Sequence, residues 1–112
     1  MRKYFVGALV VVALAIPTAA WSVNLHTPHL GSGCSTGFVG TFHFVNNQTG
    51  GTQTPGTLDA VIGGTHYQVL AYKVNQNVQH FLIEDAEGSI ASASTNLAGK
   101  LVLSDLTCTE KR

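Results

Sequence analysis

The chain opens on an apolar run from Phe5 to Ile16, interrupted only by Gly7, that follows the cations Arg2 and Lys3 and ends in Pro17-Thr18-Ala19-Ala20. A positive start, a short apolar stretch and a small-residue end predict a secretory signal helix over residues 1–20, removed on export. As a helix the run would reach only about 18 Å, against a hydrocarbon core of about 30 Å, so a retained anchor is disfavoured. The mature chain then begins near Trp21, and no membrane insertion is expected of it.

Beyond Ala20 the pattern changes from solid to alternating. Residues 21–36 carry Pro28, Gly31 and Gly33 without sustained period and read as a lead-in segment. From Gly37 to Val45 the apolar positions recur every second residue, with Phe38, Phe42 and Phe44 on one face beside Gly40 and with Val39, Thr41, His43 and Val45 on the other. The aromatic face is expected to be the core side. A breaker-rich loop, Asn46–Gly56, leads to two runs, Thr57–Ile62 and Thr65–Val74, parted only by Gly63-Gly64. Paired glycines between apolar runs predict a tight hairpin, because both turn positions favour positive φ. Tyr72 is expected to pack in the core. Further strands follow at Val78–Ile83, Ser89–Thr95 and Lys100–Thr107, with an acidic turn at Glu84–Gly88 and another turn at Asn96–Gly99.

The expectation is an all-β domain over residues 37–108, with 109–112 as a C-terminal tail. Six strands, or seven with a stretch near Val23–Leu30, suit a small antiparallel β-sandwich, Ig-like in architecture. Sparse charge and abundant Gly, Thr, Ser, Asn and Gln point the same way, since helix surfaces carry more Glu, Lys and Arg.

Charge narrows the partners. After Ala20 the cations Lys73, Lys100, Lys111 and Arg112 face the carboxylates of Asp59, Glu84, Asp85, Glu87, Asp105 and Glu110, a formal charge of −2. No basic face for nucleic acid is present in that set. Two cysteines in an exported chain, Cys34 and Cys108, predict one disulfide joining the ends of the domain. In the loop-closure picture a bond between residues 74 apart removes unfolded-state entropy worth on the order of 4 kcal/mol. Unpaired thiols and pairing between molecules are the alternatives.

Histidine is the residue type that invites a metal or catalytic site: His26, His29, His43, His66 and His80. His26 and His29 could begin a nitrogen ligand set that His43 or His66 completes. The spacing favours a solvent-exposed pair instead. His43 and His80 each precede a phenylalanine in a strand, which suggests imidazoles on adjacent strands bonded to the backbone or to one another. Ser104-Asp105 could lie near them, yet no serine sits in a glycine-flanked elbow. Glu84, Asp85 and Glu87 lack the alternating ligand spacing of a calcium loop.

Three stretches, Cys34 leading into Thr41–Gln48 (TFHFVNNQ), then Val78–Phe81 (VQHF), then Leu101–Ser104 (LVLS) before Cys108, resemble an uncharacterised module of bacterial secreted and surface proteins. Similar members carry tryptophan where Phe42 stands, and often a histidine where this chain has Asp105. The resemblance implies a secreted β-sandwich closed by the two cysteines and names no activity.

Together these readings predict a secreted or cell-surface binding or structural module with no catalytic residues, no resident metal and no cofactor, acting on an extracellular or cell-surface partner. Two rival readings remain. One is a self-assembling surface or filament subunit, in which Val23–Ser35 adds to a sheet edge of the next copy. The other is a metal-binding protein built on His26, His29, His43 and His80.

Overall fold

The computed structural model describes residues 22–112, so the expected signal helix and Trp21 lie outside the described residues. Eight strands form two antiparallel four-stranded sheets: β1 (Val23–Asn24), β2 (Phe38–Asn47), β3 (Thr57–Ile62), β4 (Thr65–Leu70), β5 (Lys73–Val74), β6 (Val78–Ala86), β7 (Ile90–Thr95) and β8 (Lys100–Glu110). One sheet has the order β1-β7-β3-β4 and the other β5-β6-β2-β8. The all-β sandwich expected from the alternation is present.

Period-two patterning explains the core. Phe42, Phe44, Phe81 and Ile83 from the second sheet meet Leu58, Ala60, Ile62, Ile90 and Ala93 from the first, all buried in one cluster. Tyr67 and Val69 pack against it from β4. Phe38 shares the parity of Phe42 yet is 39% exposed, because it begins β2 at the open end of the sandwich, paired with Glu110 near the far end of β8.

The Gly63-Gly64 hairpin forms as expected, with φ of 57° and 82° at the two glycines. The run that follows does not continue as one strand. β4 ends at Leu70, Ala71 donates its N–H to Gly56 O, and Tyr72 donates its N–H to His80 O, so the chain crosses from the first sheet to the second. This corrects the expectation for Tyr72: it is 57% exposed, because it shares the outward parity of His66, Gln68 and Leu70 while Tyr67, Val69 and Ala71 pack against the core.

The segment expected as a lead-in is built into the domain. Val23 and Asn24 pair with Thr95 and Ser94 of β7, and Leu25 is buried in the core. At the other end, β8 runs through Cys108 to Glu110, beyond the expected strand end. Cys34 and Cys108 are bonded, with Cα atoms 5.8 Å apart. Gly40 lies opposite Cys108, and a Cβ there would stand 2.8 Å from Cys34 Sγ and 2.7 Å from the Phe42 ring. A side chain at that point of β2 would therefore displace the bridge or the aromatic core.

Loop ends are pinned by buried amides rather than by more hydrophobic surface. Asn46 and Gln79 face each other across β2 and β6, both fully buried. The Asn46 side chain donates to Ala98 O at 2.9 Å and accepts from the Thr95 hydroxyl at 2.5 Å. Gln79 accepts from Gly56 N–H at 2.7 Å and donates to Thr54 O at 3.0 Å. Buried polar groups that each find a partner fix loop geometry, since any other arrangement strands them without water.

Candidate functional site

The outward positions of the second sheet are unusual for a solvated β-surface. Along β2 these are Thr41, His43 and Val45; in register beside them stand Leu82 and His80 on β6 and Asp105 and Val102 on β8. Val45 is only 9% exposed although it stands outside the core cluster, between His80 and Val102. Leu82 and Val102 are half-buried. This face is thus partly apolar, and its polar groups are aromatic.

Register brings the imidazoles together. His80 pairs with Val45 and His43 with Leu82, so the two histidines are diagonal neighbours on one face, a distance that ring side chains can bridge. His43 Nε2 lies 3.1 Å from His80 Nδ1, with the rings inclined by 13° and their centroids 5.2 Å apart. At that separation the two nitrogens cannot both carry a hydrogen, so one ring donates and the other accepts. This matches the expected bonding of imidazoles on adjacent strands. Tyr72 completes the group from the crossing segment, its hydroxyl 3.2 Å from the same His43 Nε2. Its ring centroid is 6.1 Å from that of His43 and 6.0 Å from that of His80.

Electrostatics favours a neutral ring at His80. His80 has its pKa lowered from 6.5, first by burial, then by His43 and by Lys73, its register partner on β5. An imidazole pair beside a phenol can donate and accept hydrogen bonds, stack against a planar or sugar-like surface, or offer lone pairs. General acid–base chemistry would need a reacting group beside it. Asp105 is opposite His43 in register and Ser104 is the residue skipped at the bulge, but among the described residues no hydrogen bond joins either side chain to the imidazoles.

The other candidates are dispersed. The His26 and His29 rings meet edge to face with centroids 5.3 Å apart, and His29 Nδ1 accepts the Leu103 N–H at 2.9 Å, which commits that nitrogen to holding the segment against β8. His66 lies on the outer face of the other sheet, 3.1 Å from Asp59 Oδ1, which also accepts from Gln68 at 2.9 Å. Neither His43 nor His66 completes a set with His26 and His29. Among the described residues no group of three His, Cys, Asp or Glu side chains is arranged to hold a metal ion. Glu84 and Asp85 are exposed at the end of β6, and Glu87 pairs with Lys111 at 2.7 Å. No described helix is long and apolar enough to cross a membrane.

No family model, curated protein or solved structure matches this chain. The site therefore rests on its own geometry. Tyr72 is the member that sequence reasoning misplaced, and the signal was there: it shares the parity of the polar His66 and Gln68, which marks the outer face of the run.

Proposed function

We propose that the chain is an exported β-sandwich that works as a binding module, without catalysis, through the outer face of the β5-β6-β2-β8 sheet around Tyr72. The observation that carries this reading is the concentration on one face of an exposed tyrosine, two hydrogen-bonded imidazoles and the half-buried aliphatics Leu82 and Val102. Aromatic residues are over-represented at recognition surfaces because they bury much area at little entropic cost. A cystine-closed sandwich suits an oxidising compartment, which favours a secreted or cell-surface location.

The absence of catalysis is supported by the failure of Ser104 and Asp105 to engage the imidazoles. Assembly by strand addition is the second reading. β8 leaves the side away from β2 open over its C-terminal half, an acceptor edge, but the donor expected from Val23–Ser35 is engaged within its own chain at Val23–Asn24.

The test is to return labelled mature protein to the cells that export it. Tyr72→Ala is expected to keep the melting temperature within a few degrees and to lower retention on the cell surface by about 10-fold or more, the loss of a central aromatic contact. Equal retention of Tyr72→Ala and wild type would remove this face as the working surface.

A further inference from the structure

Beyond that reading, and on the same surface, we infer that Tyr72, His43 and His80 form a site for one divalent transition-metal ion, copper(II) bound more tightly than zinc. His43 Nε2 stands 3.1 Å from His80 Nδ1 and 3.2 Å from the Tyr72 hydroxyl. Metal–nitrogen bonds of about 2.0–2.1 Å set neighbouring donors about 2.9 Å apart at right angles and about 3.4 Å apart at a tetrahedral angle. Both observed separations fall between those limits. The three ring centroids are 5.2, 6.0 and 6.1 Å apart, so the rings form a triangle rather than follow a line.

The donor chemistry selects the ion. Imidazole nitrogen suits copper and zinc, and at such a site copper(II) stands highest in the divalent series. Phenol oxygen adds a third donor that becomes anionic on coordination, losing its proton to water. Neutral imidazoles are the form that binds metal, so uptake is favoured above the ordinary imidazole range. Lys73, beside His80, opposes a cation, whereas Asp105, opposite His43, attracts one. Three protein donors on an exposed face leave a coordination position open to water or to a group on a partner, which is how the ion would serve a binding module.

The inference rests on the reading of this face as the working surface, and its test is separate. Metal-free mature protein is titrated with copper(II) chloride, and independently with zinc chloride, at about pH 7.5, where free imidazole is deprotonated. One ion per chain is expected, with a visible absorption band from tyrosinate to copper. His80→Ala should weaken binding by more than the roughly 10-fold that loss of a supporting residue costs. Tyr72→Phe, which removes one hydroxyl from an exposed ring and leaves the fold intact, should abolish the band. The double variant His26→Ala, His29→Ala should bind as wild type does. Failure to take up either ion, binding unchanged in both His80→Ala and Tyr72→Phe, or binding lost in the His26/His29 variant would each overturn the site. If no metal binds while Tyr72→Ala still loses cell retention, the ion is wrong and the surface reading stands.

Discussion

The outer faces of the two sheets each carry a histidine with a hydrogen-bonded partner, and they differ in what surrounds it. On the first sheet, His66, Asp59 and Gln68 form a solvated set: His66 and Asp59 keep 63% and 43% of their side-chain surface, and Ser92 and Ser94 stand beside them on β7. On the second, His43 and His80 are half-buried among Val45, Leu82 and Val102, with Tyr72 above them. An exposed pair such as Asp59–His66 is screened and contributes little. Imidazoles packed against aliphatic neighbours lose solvent, so burial lowers the pKa of His80 and the hydrogen bonds of the pair are harder to replace with water. A histidine on a strand therefore becomes a candidate site through its lateral neighbours.

The largest test of that contrast concerns the two sides of one strand. Phe44→Ala on the inner side of β2 should cost about 3–5 kcal/mol, the loss of a fully buried aromatic, read as a lower denaturation midpoint. His43 next to it faces outward, so a loss as great for His43→Ala would contradict the division into core and surface. A smaller effect separates the two outer faces by one chemical change made on each. Val45→Thr should cost about 1 kcal/mol by placing a hydroxyl where little water reaches. Val61→Thr, half-buried on the outer side of β3, should stay within about 0.5 kcal/mol. Equal values for the pair would mean that the faces do not differ in burial.

The smallest effect is a pH dependence. The folded pKa of His80 lies below its value of 6.5 in the unfolded chain, so between the two the unfolded state binds the extra proton. Its contribution to stability is whole above pH 6.5 and declines as the pH falls toward the folded pKa. Wild type should consequently lose stability on acidification more steeply than His80→Gln, because the difference between the two curves cancels the other titrating groups. Parallel curves would show that His80 has the same proton affinity in both states.

Much of the sandwich was legible because local patterns coincide with what burial requires. The Phe42 and Phe44 alternation, the Gly63-Gly64 turn and the Cys34–Cys108 pairing each follow from a physical demand that any compact arrangement of this chain must meet: a dry face, a positive φ, an oxidised thiol pair. The FHF and QHF contexts likewise suggested bonded imidazoles on adjacent strands. What remained illegible was the crossing at Ala71-Tyr72, since a period-two count assumes one sheet and has no term for a strand that leaves it. Asn46 was read as the start of a loop although it is fully buried, because its satisfaction depends on Thr95 and Ala98, about fifty residues away.

By itself, then, the order of residues determined the class of structure, the hairpin and the two cysteines that close the domain, for these depend on neighbours one or two positions away or on the chemistry of a compartment. Tertiary structure alone decided that Tyr72 leaves the core, that Val23–Asn24 enters a sheet, and that Tyr72 and His80 both reach His43 on one face. Strand order and register are set by how the whole core packs, and a shift of one residue would send every one of those side chains to the opposite side.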